Sequence, residues 1–340
     1  MRKPLFKIRE NGKYGFISFE GETLIEPQYL DAEDFHNGFS RVRFNDKLVP
    51  LDTLGRLLMK NLFNHVGHFE EHLACVKLVS LWGYIDERGS LAVDLQFEDA
   101  KAFSEGLAAV KEASLYGFID QSGEYIIDNQ YDMAGSFKNG LAPVAKGKHY
   151  GYINKRGTMV IPPSYDMAGN FQGDVAIVVK DRKWGLIDKT GAMRLEPQFT
   201  MVSNFAEGDF SDQMAIAVKN NKYGFINQQG EIVVEPIYDL AGDFGEGLAL
   251  VSLEGNFGYI NKNGNLTIRH KFEEAGIFSN GLAQVRINGK WGYIDPKGQV
   301  AIDPTFDNVL PFKNGLAWVI KNNQWAYINQ QGEYVWKEKI

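Results

Sequence analysis

The chain is short of several things, and each shortage excludes a class of protein. Only one of its 340 residues is cysteine, Cys75, so an internal disulfide is excluded and a reducing compartment fits. There are 11 prolines against 36 glycines, and the glycines follow no three-residue period, which excludes collagen. No run of about 18 apolar residues occurs, so no helical span across a membrane is expected. Positive charge is not in excess: 36 Lys and Arg stand against 43 Asp and Glu, a formal charge of -7. Without clustered cations a nucleic-acid surface is not expected. The opening MRKPLFKIRENGKYGF lacks the apolar centre of an export signal, and the expected location is cytoplasmic.

Aromatic residues, by contrast, are plentiful: 23 Phe, 15 Tyr and 6 Trp. Their placement is periodic. A marker residue that opens segments such as KYGFIS and KWGYID falls at Tyr14, Leu48, Trp82, Tyr116, Tyr150, Trp184, Tyr223, Phe257, Trp291 and Trp325. Eight of the nine intervals are 34 residues and the sixth is 39, so ten units carry one five-residue insertion near Gly208–Asp212. With the marker as position 0, glycine fills position +7 in all ten units, and an aromatic fills +15 in all nine that reach it. Phenylalanine fills +21, from Phe35 to Phe312, and a Gly-Leu-Ala-x-Val element follows. The units begin near residues 5, 39, 73, 107, 141, 175, 214, 248, 282 and 316, and we treat residues 1–340 as one array with a kink at 208–212.

Each unit reads as strand. In W-G-Y-I-D both faces of the segment are apolar, and a strand apolar on both faces is buried on both. The D/N-x-x-G signal that follows, as in Asp120-Gln121-Ser122-Gly123, predicts a hairpin turn with a bulge. Proline at +13 (Pro27, Pro197, Pro236, Pro304) is expected to end the next strand, because it cannot donate to the ladder. The Y-D-x-A-x-x-F-x-x-G stretch is expected to be an anchored connector with a helical turn. The expected fold is therefore all-β: ten three-stranded antiparallel meanders, each with an anchored connector, stacked into an open superhelical array. A closed propeller-like ring is the alternative; the two chain ends fall on one boundary of the meander, which favours the open form.

The unit WGYID-x-x-G-x-x-x-I-x-P-x-Y-D-x-A-x-x-F-x-x-G-L-A-x-V resembles the bacterial WG repeat, also called the KWG repeat. The resemblance runs from about Leu5 to Trp336. It weakens at Leu48-Val49-Pro50-Leu51-Asp52 and at Ala326, where the signature residues are replaced. What the resemblance implies is a repeat architecture used for binding or scaffolding.

Four features compete for a functional role. The Asp/Asn column at +4 (Asp52 to Asn329) could suggest calcium, but one oxygen ligand per loop is too few, and turn geometry explains the pattern. His65, His68 and His72 lie within eight positions and close to Cys75, a donor set suited to a transition metal; loss of the W-G signature in that unit makes drift the competing explanation. Phe210 stands in the insertion, where repeat arrays often place function. Trp318 occupies a column that otherwise holds Arg41, Cys75, Ala109, Pro143, Leu250 and Gln284, which predicts an exposed ring. No G-x-S-x-G, P-loop or H-E-x-x-H motif is present. The expectation is a binding protein without enzymatic activity or cofactor, with a protein or peptide partner. A carbohydrate or cell-envelope module built around Trp318, or a metal protein or enzyme centred on the histidines, are the alternatives.

Overall fold

The computed structural model describes residues 4–58, 63–202 and 213–339. It contains strands and turns and no helix among the described residues. Among the described residues ten antiparallel sheets follow one another along the chain, and none closes into a barrel. Eight of them have four strands; the first has three and the second two. The sheets form two compact units, one of Met1–Ser18, Glu22–Arg182 and Leu186–Met193, the other of Phe19–Gly21, Lys183–Gly185 and Arg194–Ile340.

One sheet stands for the rest. Its strands are Met133–Ala134, Leu141–Lys146, His149–Asn154 and Met159–Tyr165, hydrogen-bonded in that order. The first corrects the expectation from sequence: the connector forms a two-residue edge strand, with Met133 opposite Ala145 and Ala134 opposite Val144. No helical turn is needed, because the Asp132 and Gly135 amides donate to the Ala145 and Pro143 carbonyls. The meander is thus four-stranded.

The glycine of W-G has a steric cause. Tyr150 pairs with Tyr165 and Tyr152 with Ile161, so the fourth strand carries two extra residues opposite Gly151. A Cβ on Gly151 would lie 2.3 Å from the Ile161 carbonyl oxygen, and no side chain fits there. The same bulge explains the prolines. Thr23–Tyr29 and Met193–Phe199 run straight through Pro27 and Pro197, so proline at +13 does not end its strand as expected. It sits in the bulge, where no amide donor is required.

Glycine at +7 serves two purposes. Gly157 has a positive φ of 76°, and a Cβ there would meet the Ile127 side chain of the preceding repeat at 3.2 Å. Gly298 makes the same approach to Ile268, and Gly332 to Ile302. In the second unit the turn Phe19–Gly21 meets the last repeat likewise, a Gly21 Cβ falling 2.4 Å from the Val335 carbonyl oxygen.

The core repeats with the sequence. Tyr152 and Phe171, both fully buried, cross edge to face with centroids 4.9 Å apart. Tyr259 with Phe278 and Tyr293 with Phe312 do the same, and Tyr84 meets Phe103 at a tilt of 58°. Each of these tyrosines donates its hydroxyl to the connector: Tyr84 to the Lys101 carbonyl (2.7 Å), Tyr152 to Gly169 (2.7 Å), Tyr259 to Gly276 (2.7 Å) and Tyr293 to Leu310 (2.8 Å). The polar tip is satisfied and the connector is pinned over the ring.

Candidate functional site

The Asp/Asn column is a turn device. Asp120 Oδ1 accepts from the Ser122 and Glu124 amides at 2.9 and 3.1 Å, and Asn261 Oδ1 accepts from Asn263 and Asn265 at 3.0 Å each. Every Asx at +4 from Asp52 to Asn329 makes this pair of bonds, and Ser18 does so once, from Glu22. Asn accepts as well as Asp in this role, which is why the two interchange. Carboxylates at +16 act in a comparable way. Asp132 Oδ2 accepts from the Gly147 amide at 2.7 Å and Asp307 Oδ2 from Asn322 at 2.7 Å, closing the next hairpin.

The three histidines do not converge. His65 lies in a two-residue strand, not a helical turn, and its ring meets the Trp82 edge at 5.3 Å. His68 turns towards the first repeat, with Nε2 3.6 Å from Glu33 Oε2 and its ring 5.2 Å from that of His36. His72 pairs with Glu87 through Nδ1 at 3.1 Å. It occupies the glycine position and takes a φ of 71°, the imprint of a glycine turn on a drifted unit. Among the described residues no group of three His, Cys, Asp or Glu side chains is arranged to hold a metal ion. Cys75 is buried and burial pushes its thiol pKa up, so the reactive thiolate is disfavoured.

What His68 joins is a polar network across repeats 1 and 2. Arg41 donates to both oxygens of Glu33 (2.6 and 2.8 Å) and to the Val66 carbonyl (2.9 Å). His36 Nε2 lies 2.8 Å from Glu70 Oε1. Burial, reinforced by the Arg41 charge, lowers the pKa of His65 and of His68, so both favour the neutral ring.

Trp318 is half-buried, not exposed as the variable column suggests. Its ring and that of Trp325 meet at right angles with centroids 5.0 Å apart. Phe210 and the insertion at 208–212 lie outside the described residues.

Two features escape sequence reasoning. The first is position +17, the opening residue of each edge strand. In the first unit it holds Met133 (47% exposed) and Met167 (41%), and in the second Met201 and Leu240, also exposed. Elsewhere this position is polar: Asp31, His65, Asp99, Glu274 and Asn308. The second is Lys101 at +19. That position is glycine at Gly67, Gly135, Gly169, Gly242 and Gly276, and Lys101 coincides with a shrunken partner column at Ala109. Both signals are present in a column-by-column alignment of the units, as side chains that depart from their column.

The family description "WG containing repeat" matches residues 14–47, 82–115, 116–148, 150–184, 184–223, 223–257, 257–291 and 291–325, most of the chain. The chain belongs to the WG containing repeat family. The unmatched stretch between residues 47 and 82 is the WG-repeat unit whose signature is replaced from Leu48 to Asp52. No curated protein matches this WG-repeat chain in sequence. Among solved structures, one described as a crystal structure of the eukaryotic initiation factor superposes with a TM-score of 0.57 at 12% identity, over 100% of this chain and 96% of that one. At that identity the likeness shows the fold alone. Kluyveromyces lactis Hsv2 gives a TM-score of 0.41 at 8% identity, over 66% of this chain and 94% of its own. No helix in the described residues is long and apolar enough to cross a membrane.

Proposed function

We propose that this WG-repeat chain is a non-enzymatic scaffold that binds a protein or peptide partner through the edge strands of its sheets. Membership of a β-repeat family supports a binding or scaffolding role. The residues that would otherwise suggest chemistry have structural roles: the Asx column closes turns, His68 enters an inter-repeat network, and Cys75 is core. The observation that carries the reading is the apolar register of the edge strands. Met133 and Met167 hold equivalent places in successive repeats of the first unit and are 47% and 41% exposed, although a core position is available one residue on, at Ala134. Exposed apolar side chains in register, bordered by polar residues at the same position in other repeats, are the mark of a docking surface, and methionine adapts to varied partners.

A photo-reactive residue placed at Met133 in the source cells tests this. It should give a discrete adduct, and the adducted protein, once purified, should bind the full chain directly. A probe at Gln121, on an exposed turn, should give none. Adducts at neither position, or equal adducts at both, would contradict the reading.

A further inference from the structure

Lys101 narrows the partner's chemistry. A side chain at +19 normally has no room: at Gly135 a Cβ would fall 2.6 Å from Pro143 Cγ, and at Gly67 2.6 Å from Cys75 Sγ. Lys101 is accommodated because Ala109 lies opposite, its carbonyl accepting from the Lys101 amide at 2.9 Å. The lysine is half-buried, and its backbone is pinned by the Tyr84 hydroxyl at 2.7 Å. Yet among the described residues its ammonium makes no hydrogen bond and no ion pair. Other cations of the same unit differ: Arg41 is held by Glu33, Arg43 lies 3.7 Å from Asp31, and Lys111 stands over the Tyr116 ring at 5.7 Å. Asp99, whose charge acts on Lys101, already accepts the Tyr116 hydroxyl at 2.5 Å. A half-buried cation with no hydrogen bond or ion pair of its own, on which Asp99 acts only through its charge, can take a second anion, which would recover more of what desolvation removes.

Lys101 also belongs to the same series of edge strands as the methionines. Its edge strand, Asp99–Ala100, precedes Met133–Ala134 and Met167–Ala168 in consecutive sheets of one unit. The connectors that carry them are tied together, Ser104 Oγ donating to the Phe137 carbonyl at 2.7 Å and Asn139 Nδ2 to the Phe171 carbonyl at 3.0 Å. Between the methionines and their hairpins lie Gly135 and Gly169, which add no side chain of their own to the edge. We infer that these three edge strands receive a peptide segment whose apolar side chains cover Met133 and Met167 and whose carboxylate pairs with Lys101. This rests on the binding role proposed above and specifies its partner as apolar and acidic. Recognition then has two parts: methionine contact supplies area, and the single ion pair supplies selectivity and orientation.

The test uses the full chain and three fluorescent dodecapeptides of alternating Leu and Ser, with two central residues that are Asp, Asn or Lys. Fluorescence anisotropy should show the Asp peptide binding about tenfold more tightly than the Asn peptide, the gain expected from one charge-assisted hydrogen bond. The Lys peptide should bind more weakly than either. Lys101→Met should remove the Asp preference and leave Asn-peptide affinity unchanged, while Met133→Ser with Met167→Ser should weaken all three. Circular dichroism melts check that each variant is folded. Equal affinity for the Asp and Asn peptides, or a preference that survives Lys101→Met, would overturn the inference. So would self-association of the chain that is abolished by the double serine variant, since a second copy would then own the face. Binding of none of the peptides at millimolar concentration would overturn it too, while the photo-crosslink at Met133 would still decide whether the chain binds a partner at all.

Discussion

Phe171→Ala tests whether the aromatic columns are the core of each repeat. Phe171 is fully buried and its ring crosses that of Tyr152 at 4.9 Å. Truncating a buried phenylalanine costs about 3–5 kcal/mol in lost transfer energy and residual cavity. The Tyr152 contact falls within that sum and accounts for about 0.5–1.5 kcal/mol of it. Collapse around the site is restricted on two sides. Tyr152 is anchored through its hydroxyl to the Gly169 carbonyl, and the Phe171 carbonyl is held by Asn139 at 3.0 Å. The loss should therefore lie in the upper half of the range, about 4 kcal/mol. For a unit of this size each kcal/mol lowers the midpoint by about 2–4 °C, so the melt should fall by roughly 8–16 °C. Phe171→Leu retains most of the volume and should cost about 1.5 kcal/mol. The assay is thermal unfolding by circular dichroism, repeated in urea to compare m-values. A fall under about 2 °C for the alanine variant, or equal losses for leucine and alanine, would refute the reasoning.

Other outcomes follow from the same contacts. Gly151→Ala should destabilise by about 2–3 kcal/mol, because its Cβ must displace the Ile161 carbonyl; an unchanged urea midpoint would mean the bulge is not rigid. Asp120→Asn should be within about 0.5 kcal/mol of the parent and Asp120→Ala about 1–2 kcal/mol below it, since the amide oxygen still accepts from Ser122 and Glu124; a loss for Asn as large as for Ala would show that the carboxylate has a role beyond the turn. His65 and His68 have folded pKa values below the ordinary 6.5, so between those values and 6.5 the unfolded chain binds more protons. Stability should then fall as pH drops through that window, and a His65→Gln, His68→Gln variant should melt with less dependence on pH between about 7 and 5 than the parent. A parent that becomes more stable on acidification in this range, with the variant unaffected, would reverse that assignment.

The period, the strand character and the turn chemistry are plain in the sequence, because each is repeated about ten times and each has a local cause. Sequence reasoning fails where one position depends on a partner distant in the unit. Proline at +13 looks like a strand terminator until the bulge opposite Gly15 or Gly185 is seen, and that bulge is a property of two strands together. A helical turn is expected for the connector because its actual hydrogen-bond partners lie across the sheet, at residues such as Pro143 and Ala145, out of reach of local sequence. Proximity in sequence groups His65, His68 and His72, yet a two-residue strand and a left-handed turn send them to Trp82, Glu33 and Glu87. The variable column of Trp318 points to exposure, yet the ring is half-buried against Trp325, a contact made across two strands that the column alone does not reveal. Lys101 and the methionines are hidden for the opposite reason: they depart from the repeat without breaking any rule of the fold.

Hydrogen–deuterium exchange of the full chain, with and without the Leu–Asp dodecapeptide, addresses the binding face itself. Added protection confined to residues 99–101, 133–135 and 167–169, absent in Lys101→Met at the same peptide concentration, is the result expected if the edge strands are the docking surface. Protection centred on other strands, or none at a concentration where anisotropy shows binding, would contradict it.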